Sequence, residues 1–314
     1  MLEKLLYSKE RYQTYGTEHI QKDVFTDSNS YDSDSVDFRI AFQTHLSDIL
    51  QDNVILEETD RGRLGITYSL SVCGRRLFCK THKRGDLFKK SIEKEYFYLK
   101  KAYPFFDVKL DCFTFDGYEY KYMLQEWLDS ASTITPDIAL NLISAYSNEL
   151  EKQDDRFEMI TYSIQDLVNI AKEELPFLLD IKELPHEYLA ELNQNINALE
   201  NHIPAMRKVV CHGDFGDKNI LTSSKGEYVA ADWEDCFVGV EGYDYLYWLT
   251  FFNHRKYYTS ETFKESGLTS IDAKGILTVI MVIKTALSIY SGLNKNNSVS
   301  SQDRIKEILQ YCNY

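Results

Sequence analysis

The sequence has 314 residues, 44% hydrophobic and 27% charged, which suffices for two ordinary domains or one bilobal unit with a substantial core. Its formal net charge of −14 argues against nucleic acid as a partner, because phosphate contacts require clustered Lys and Arg. The sequence has no run of about 18 apolar residues and no charged n-region leading into an apolar h-region, and its six cysteines are scattered with no C-x-x-C pair. No membrane partner is therefore expected, the cytoplasm is the expected location, and the thiols read as reduced and structural.

Residues 1–50 carry two short helical patterns around the polar, acidic loop "TDSNSYDSDSVD" and read as a helical extension. The period then changes. "NVILEETD", "YSLSVC" and "RRLFCKTH" are β-rich runs, the last two joined by a turn around Gly74. A helix is predicted over "DLFKKSIEKEYFYLKKAYP", ended by Pro104, and two more strands over "LDCFTFDG" and "YEYKYMLQEWLD" with a turn at Asp116-Gly117. From about 136 onward the pattern is helical: 137–152, 163–175, 187–202, 243–256, 271–291 and 301–312. Segment 206–232 interrupts it, with "KVVCHGD" and "YVAADW" as short strands. The outline is α+β and bilobal: a five-stranded antiparallel N-lobe with one helix over 51–127, and a larger, mainly helical C-lobe over 128–314. Charge is divided too. Positions 61–109 hold 13 basic and 4 acidic side chains, net +9, whereas 130–314 hold 16 and 27, net −11.

Between the two short strands, "VVCHGDFGDKNIL" gathers His212, Asp214 and Asn219, and Asp232 follows in "ADWED". An Asp, an Asn five residues on and a second Asp eighteen residues on match the layout by which protein kinases orient a hydroxyl and hold Mg²⁺. "HGDFGDKN" with "ADWED" resembles the aminoglycoside phosphotransferase and choline kinase family, which has the protein-kinase-like fold. "VGVEGYDYLYW" is similar to that family's following segment, in which an aspartate, here Asp244, braces the catalytic loop. The resemblance covers roughly 54–250 and is strongest at 209–248.

The resemblance implies roles for further residues. Asp214 would be the base or orienter, with His212 supporting its loop, and Asn219 and Asp232 would bind Mg²⁺. Lys80, at the end of the third predicted strand, would contact the nucleotide phosphates and be held by a helix glutamate. At 100° per residue, Phe88, Ile92, Leu99 and Tyr103 fall within about 60° of one another, with Glu95 at the edge of that stripe and Glu93 pointing away. Glu95 is therefore the expected partner and Glu93 the alternative. Gly62 and Gly65 in "TDRGRLGITYS" can expose N–H groups to phosphate oxygens. In "MLQEWLDS", Glu126 would present a carbonyl and Leu128 an N–H to the base, with Gln125 at the back of the pocket. No G-x-x-x-x-G-K-[ST] occurs, which excludes a P-loop NTPase.

The expected activity is Mg²⁺-dependent transfer of a γ-phosphoryl group from ATP, with GTP an alternative, to a hydroxyl of a small molecule. The acidic C-lobe favours an amine-bearing acceptor, aminoglycoside-like first and choline-like second. Choline or ethanolamine, homoserine and methylthioribose are acceptors of relatives. A protein-directed kinase and a non-catalytic nucleotide-binding relative are the readings from other classes. The short stretch between Asp232 and the next predicted helix leaves little room for the peptide platform the first requires.

Overall fold

The computed structural model describes residues 5–6, 8–10, 12–13, 36–61, 65–292 and 300–314. Five strands, β1 (Ile55–Arg61), β2 (Gly65–Val72), β3 (Arg75–His82), β4 (Val108–Phe115) and β5 (Tyr118–Glu126), form one antiparallel sheet in the order β1-β2-β3-β5-β4. Its two tight hairpins turn at Cys73-Gly74 (φ 47 and 69) and Asp116-Gly117 (φ 48 and 70). Positive φ at both central residues matches the twist of the flanking strands, and glycine makes the second position cheap.

Helix α1 (Val36–Leu50) spaces Phe38, Phe42 and Leu46 four residues apart, so one face is apolar. That face covers the sheet: Phe38 lies 4.9 Å from Tyr120 and 5.5 Å from Phe113, edge-on. Cys79 joins this core. Side chains alternate across a strand, so Lys80 projects from the opposite face, where helix α2 (Asp86–Ala102) packs.

The second lobe is built on α3 (Pro136–Glu151), α4 (Ile164–Asp180), α5 (Leu189–His202) and α8 (Ser270–Tyr290), joined by the shorter α6 (Tyr243–Leu249), α7 (Ser260–Lys264) and α9 (Ser301–Gln310). Helix α8 is long and apolar enough to cross a membrane by composition, yet 78% of its most apolar window is buried within the protein, which makes it a core helix. Gly275 lets it approach α5 closely: a Cβ there would sit 2.6 Å from the Leu199 Cβ. Before the N-lobe, Lys9 reaches this lobe to pair with the buried Glu174 at 2.6 Å, and Tyr12 packs on Tyr290.

Two small sheets hold the polar segments. Strand β7 (Lys208–Cys211) pairs with β10 (Phe237–Val240), and β8 (Ile220–Thr222) lies between β6 (Asp129–Ser130) and β9 (Tyr228–Ala230). Strands β6, β8 and β10 are two to four residues long, below what hydrophobic periodicity resolves. Helix α4 runs to Asp180 through Pro176, where a stop was expected; buried Leu175, Leu178 and Leu179 offset the lost hydrogen bond. The helix expected over 243–256 is divided into α6 and a 3₁₀ segment, Phe252–Tyr257.

Candidate active site

Lys80 leaves β3 toward α2 and meets three carboxylates. Its Nζ lies 2.5 Å from Glu95 Oε2, 2.8 Å from Asp232 Oδ1 and 3.2 Å from Glu234 Oε2. Glu93 turns away and approaches Lys121 at 3.6 Å. Burial works against the Lys80 ammonium, but Asp232, Glu234 and Glu95 outweigh it and raise its pKa well above the ordinary value. Burial pushes the Glu95 carboxyl up to about 7, with Lys80 opposing the shift. Three carboxylates and one ammonium leave the cluster negative, in a setting where uncompensated charge is costly.

Strand β7 delivers His212, Gly213 and Asp214. Gly213 holds φ 81, and a Cβ there would meet the Asp235 carbonyl oxygen at 2.2 Å, so the turn requires glycine. Asp244, the second residue of α6, braces this turn from below. Its Oδ2 accepts the His212 N–H and the Tyr146 hydroxyl, each at 2.7 Å, and its Oδ1 accepts the Gly213 N–H at 3.1 Å. Burial raises the Asp244 pKa, and these bonds oppose the rise. His212 is buried against Trp233, with ring centroids 4.7 Å apart, and its Nε2 donates to the Ala231 carbonyl at 2.8 Å. That tautomer leaves Nδ1 to accept the Asp214 N–H at 3.4 Å. His212 is thus a positioning residue, joining the turn to the strand end that carries Asp232.

Asp214 is half-buried, and its Oδ1 accepts the Tyr247 hydroxyl at 2.8 Å. Asn219 donates from Nδ2 to the Asp214 carbonyl at 2.8 Å, which leaves its amide oxygen as an acceptor. Asp232 adopts a left-handed backbone, φ 67 and ψ 57, which Asp tolerates better than most residues. At the connector, Glu126 ends β5 and its Oε2 accepts the Ser224 hydroxyl at 2.8 Å, Leu128 is buried, and Gln125 Oε1 is buried with no hydrogen-bond partner. Gly65 opens β2 opposite His82, so close to β3 that a Cβ would lie 2.9 Å from the Lys80 Cε. Gly62 lies outside the described residues.

Residues 164–259 match the sequence model of the phosphotransferase enzyme family. No curated protein matches the sequence. Among solved structures, aminoglycoside phosphotransferase APH(4)-Ia is similar at 14% identity, covering 87% of this chain and 99% of that one, with a TM-score of 0.55. A thermostable mutant of it in ternary complex with ADP and hygromycin B has the same identity and TM-score over 86% and 98%. A choline/ethanolamine kinase family protein from Mesorhizobium loti is 13% identical over 88% and 92%, with a TM-score of 0.50. The overall fold is that of the aminoglycoside phosphotransferases.

The phosphotransferase fold implies a divalent cation, and the residues present suit one. Glu95, Asp232 and Glu234 bring carboxylate oxygens within 4.8 Å of one another, with the Asn219 amide oxygen an acceptor on the neighbouring loop. An all-oxygen, anionic donor set selects a hard cation such as Mg²⁺.

Four contributors escaped the sequence reading. Glu234 is the third member of the "DWE" triplet, and its Oε2 also accepts the Ser91 hydroxyl at 3.4 Å. Tyr146 and Tyr247 hold Asp244 and Asp214. Lys284 is a lone cation in the apolar stretch "GILTVIMVIKTALSIY", which was itself a signal.

Proposed function

We propose that the protein is a small-molecule kinase that transfers the γ-phosphoryl group of ATP to an acceptor hydroxyl. One observation carries this reading. Lys80 of the N-lobe meets Asp232 of the C-lobe at 2.8 Å, while Asp214 and Asn219 are tied together on the adjoining loop. Residues 51–127, with α1 docked on their sheet, would serve as the nucleotide lobe, and 128–314 as the acceptor lobe.

In this reading Lys80 contacts the α and β phosphates and Glu95 holds its ammonium in place. Asp232 and Asn219 would hold a Mg²⁺ ion, with Glu234 beside them, and the ion would supply neutralisation of phosphate charge. Gln125 Oε1, buried and unmet, suits the amino group of adenine at the back of the pocket, with the Glu126 carbonyl and Leu128 N–H along its edge; this favours ATP over GTP. Gly62 and Gly65 belong to the loop that covers the phosphates. Asp214 orients the acceptor hydroxyl through its carboxylate Oδ2 and takes its proton as the oxygen bonds phosphorus and the bond from phosphorus to the leaving ADP oxygen breaks. The other oxygen is fixed by Tyr247. His212 keeps the loop in register. Catalysis then consists of positioning and electrostatics.

About ten residues separate Asp232 from α6, which supports a small acceptor over a peptide. The net −11 of residues 130–314 is the observation that favours an amine on that acceptor. Asp214→Asn tests the assignment: turnover falls by about 10² to 10⁴ while Mg-nucleotide affinity stays within a few fold. An unchanged turnover would falsify it.

A further inference from the structure

The wall next to Asp214 carries a cation. Lys284 of α8 points its Nζ at the Phe251 ring, 3.6 Å from the centroid, and at the Tyr247 ring, 4.2 Å away. It donates one hydrogen bond, to Thr250 Oγ1 at 2.9 Å. Among the described residues it forms no ion pair. An ammonium has three N–H groups, so two remain to be met. Lys284 is half-buried, and Tyr247, whose ring it faces, is the residue that binds Asp214. Arg304 of α9 stands on the far side of Thr250, donating to its carbonyl and stacking on Phe252 at 3.8 Å. Arg304 repels Lys284, Asp214 attracts it, and burial pushes its pKa down to about 7.

As packing alone this arrangement is poor. Two ring faces and a hydroxyl do not replace the hydration of a lysine ammonium, and methionine would fill the same space without that loss. Gly216 on the catalytic loop leaves room for Phe251, since a Cβ there would lie 2.6 Å from its Cζ. The ring, the lysine and the Asp214 loop therefore form one wall. The acidic excess of the lobe does not decide the charge preference at this wall. Charges farther away than about 8 Å are largely screened at physiological salt, whereas Lys284 is adjacent.

We propose that Lys284 binds an acidic group on the acceptor, so that the hydroxyl compound phosphorylated at Asp214 carries a carboxylate or a phosphate on the side facing α8. This rests on the phosphotransfer reading above. An amine elsewhere on the same acceptor remains compatible with the outer acidic surface. A purely cationic acceptor does not fit against Lys284.

The test uses the full chain saturated with Mg-AMP-PNP, titrated by calorimetry with four small probes: glycerate, glycerol phosphate, ethanolamine and glycerol. At least one acidic probe should bind more tightly than both others, and which one binds separates carboxylate from phosphate. Lys284→Met should weaken that binding about 10- to 100-fold, the worth of a charge-assisted hydrogen bond. Lys284→Arg should weaken it less, and both variants should keep their Mg-AMP-PNP affinity. If Lys284→Met does not fold, Lys284→Gln takes its place. Tighter binding of ethanolamine or glycerol, binding of no probe, or equal binding of the acid by the Met variant overturns the proposal. Failure of the unmutated protein to bind Mg-AMP-PNP is a separate outcome, which overturns the kinase reading and this proposal with it.

Discussion

The brace under the His212–Asp214 turn is the most exacting test of how the candidate site is built. Asp244 accepts three hydrogen bonds, from His212 N, Gly213 N and the Tyr146 hydroxyl, and it is buried. In Asp244→Asn, one amide oxygen can replace Oδ2 and keep two donors, but the NH₂ group then faces the Gly213 N–H. One bond is lost and the other two lose their charge. Bonds to charged groups contribute about 1.5–3 kcal/mol and neutral ones about 1, so the loss is about 3–5 kcal/mol. Removing the burial cost, which raises the Asp244 pKa despite these bonds, returns the share due to charge and leaves the lost bond with an unmet N–H, a net destabilisation of about 1–3 kcal/mol. At this chain length that lowers Tm by about 2–5 °C. Tyr146→Phe, which removes one bond, should cost about 1 kcal/mol. Activity should fall more than stability suggests: displacing Asp214 by about 1 Å costs on the order of 100-fold in kcat. The pH dependence has a defined sign. Asp244 has its pKa raised above the ordinary 3.8, so its contribution to stability is full below 3.8 and is lost as pH rises through the raised value. Asp244→Asn should remove that descending limb. Thermal unfolding across acid pH, with kcat from a coupled ADP assay, measures both effects. An Asn variant within about 0.5 kcal/mol and twofold in kcat of the parent refutes the brace.

Asp232→Asn keeps a side chain that tolerates the left-handed backbone and removes the charge, so it isolates the electrostatic role; Mg²⁺-dependent nucleotide binding should be lost, and undiminished affinity by calorimetry would make the triplet structural. Lys80→Ala and Glu95→Ala should combine non-additively in kcat/KM, because each disables the same 2.5 Å pair. Additive losses would mean that Glu95 serves another partner.

Much of this site could be read from local signals. Helical phase picked Glu95 over Glu93 as the partner of Lys80, as the 2.5 Å pair bears out, whereas Lys80 itself and the Asp214, Asn219, Asp232 set were singled out by resemblance to a family's motifs. What escaped depended on contacts between distant segments. Tyr146 lies on the apolar face of α3 and Tyr247 in α6, which is buried along its whole length, so both read as core, and their hydroxyl bonds exist only once α3 and α6 are docked. Gly242, with φ 87, stands at the start of α6, so the Asp244 carboxylate is left to turn inward onto His212 and Gly213. Lobe-averaged charge carried no information on where a single cation lies, so Lys284 beside Asp214 went unread. Strands of two to four residues have no period to detect.

Lys80 is anchored in one lobe, and two of its three carboxylate partners belong to the other. In the proposed kinase reading, an arriving nucleotide would not meet a bare ammonium; it would have to exchange with the carboxylates that bridge the two lobes. Every hydrogen bond formed to a phosphate is set against an internal ion pair given up, so measured affinity should fall well short of what the geometry of a bound complex suggests. In that reading, entry would be a gated step, with release of Lys80 by Asp232 and Glu234 holding association below the steered diffusional rate.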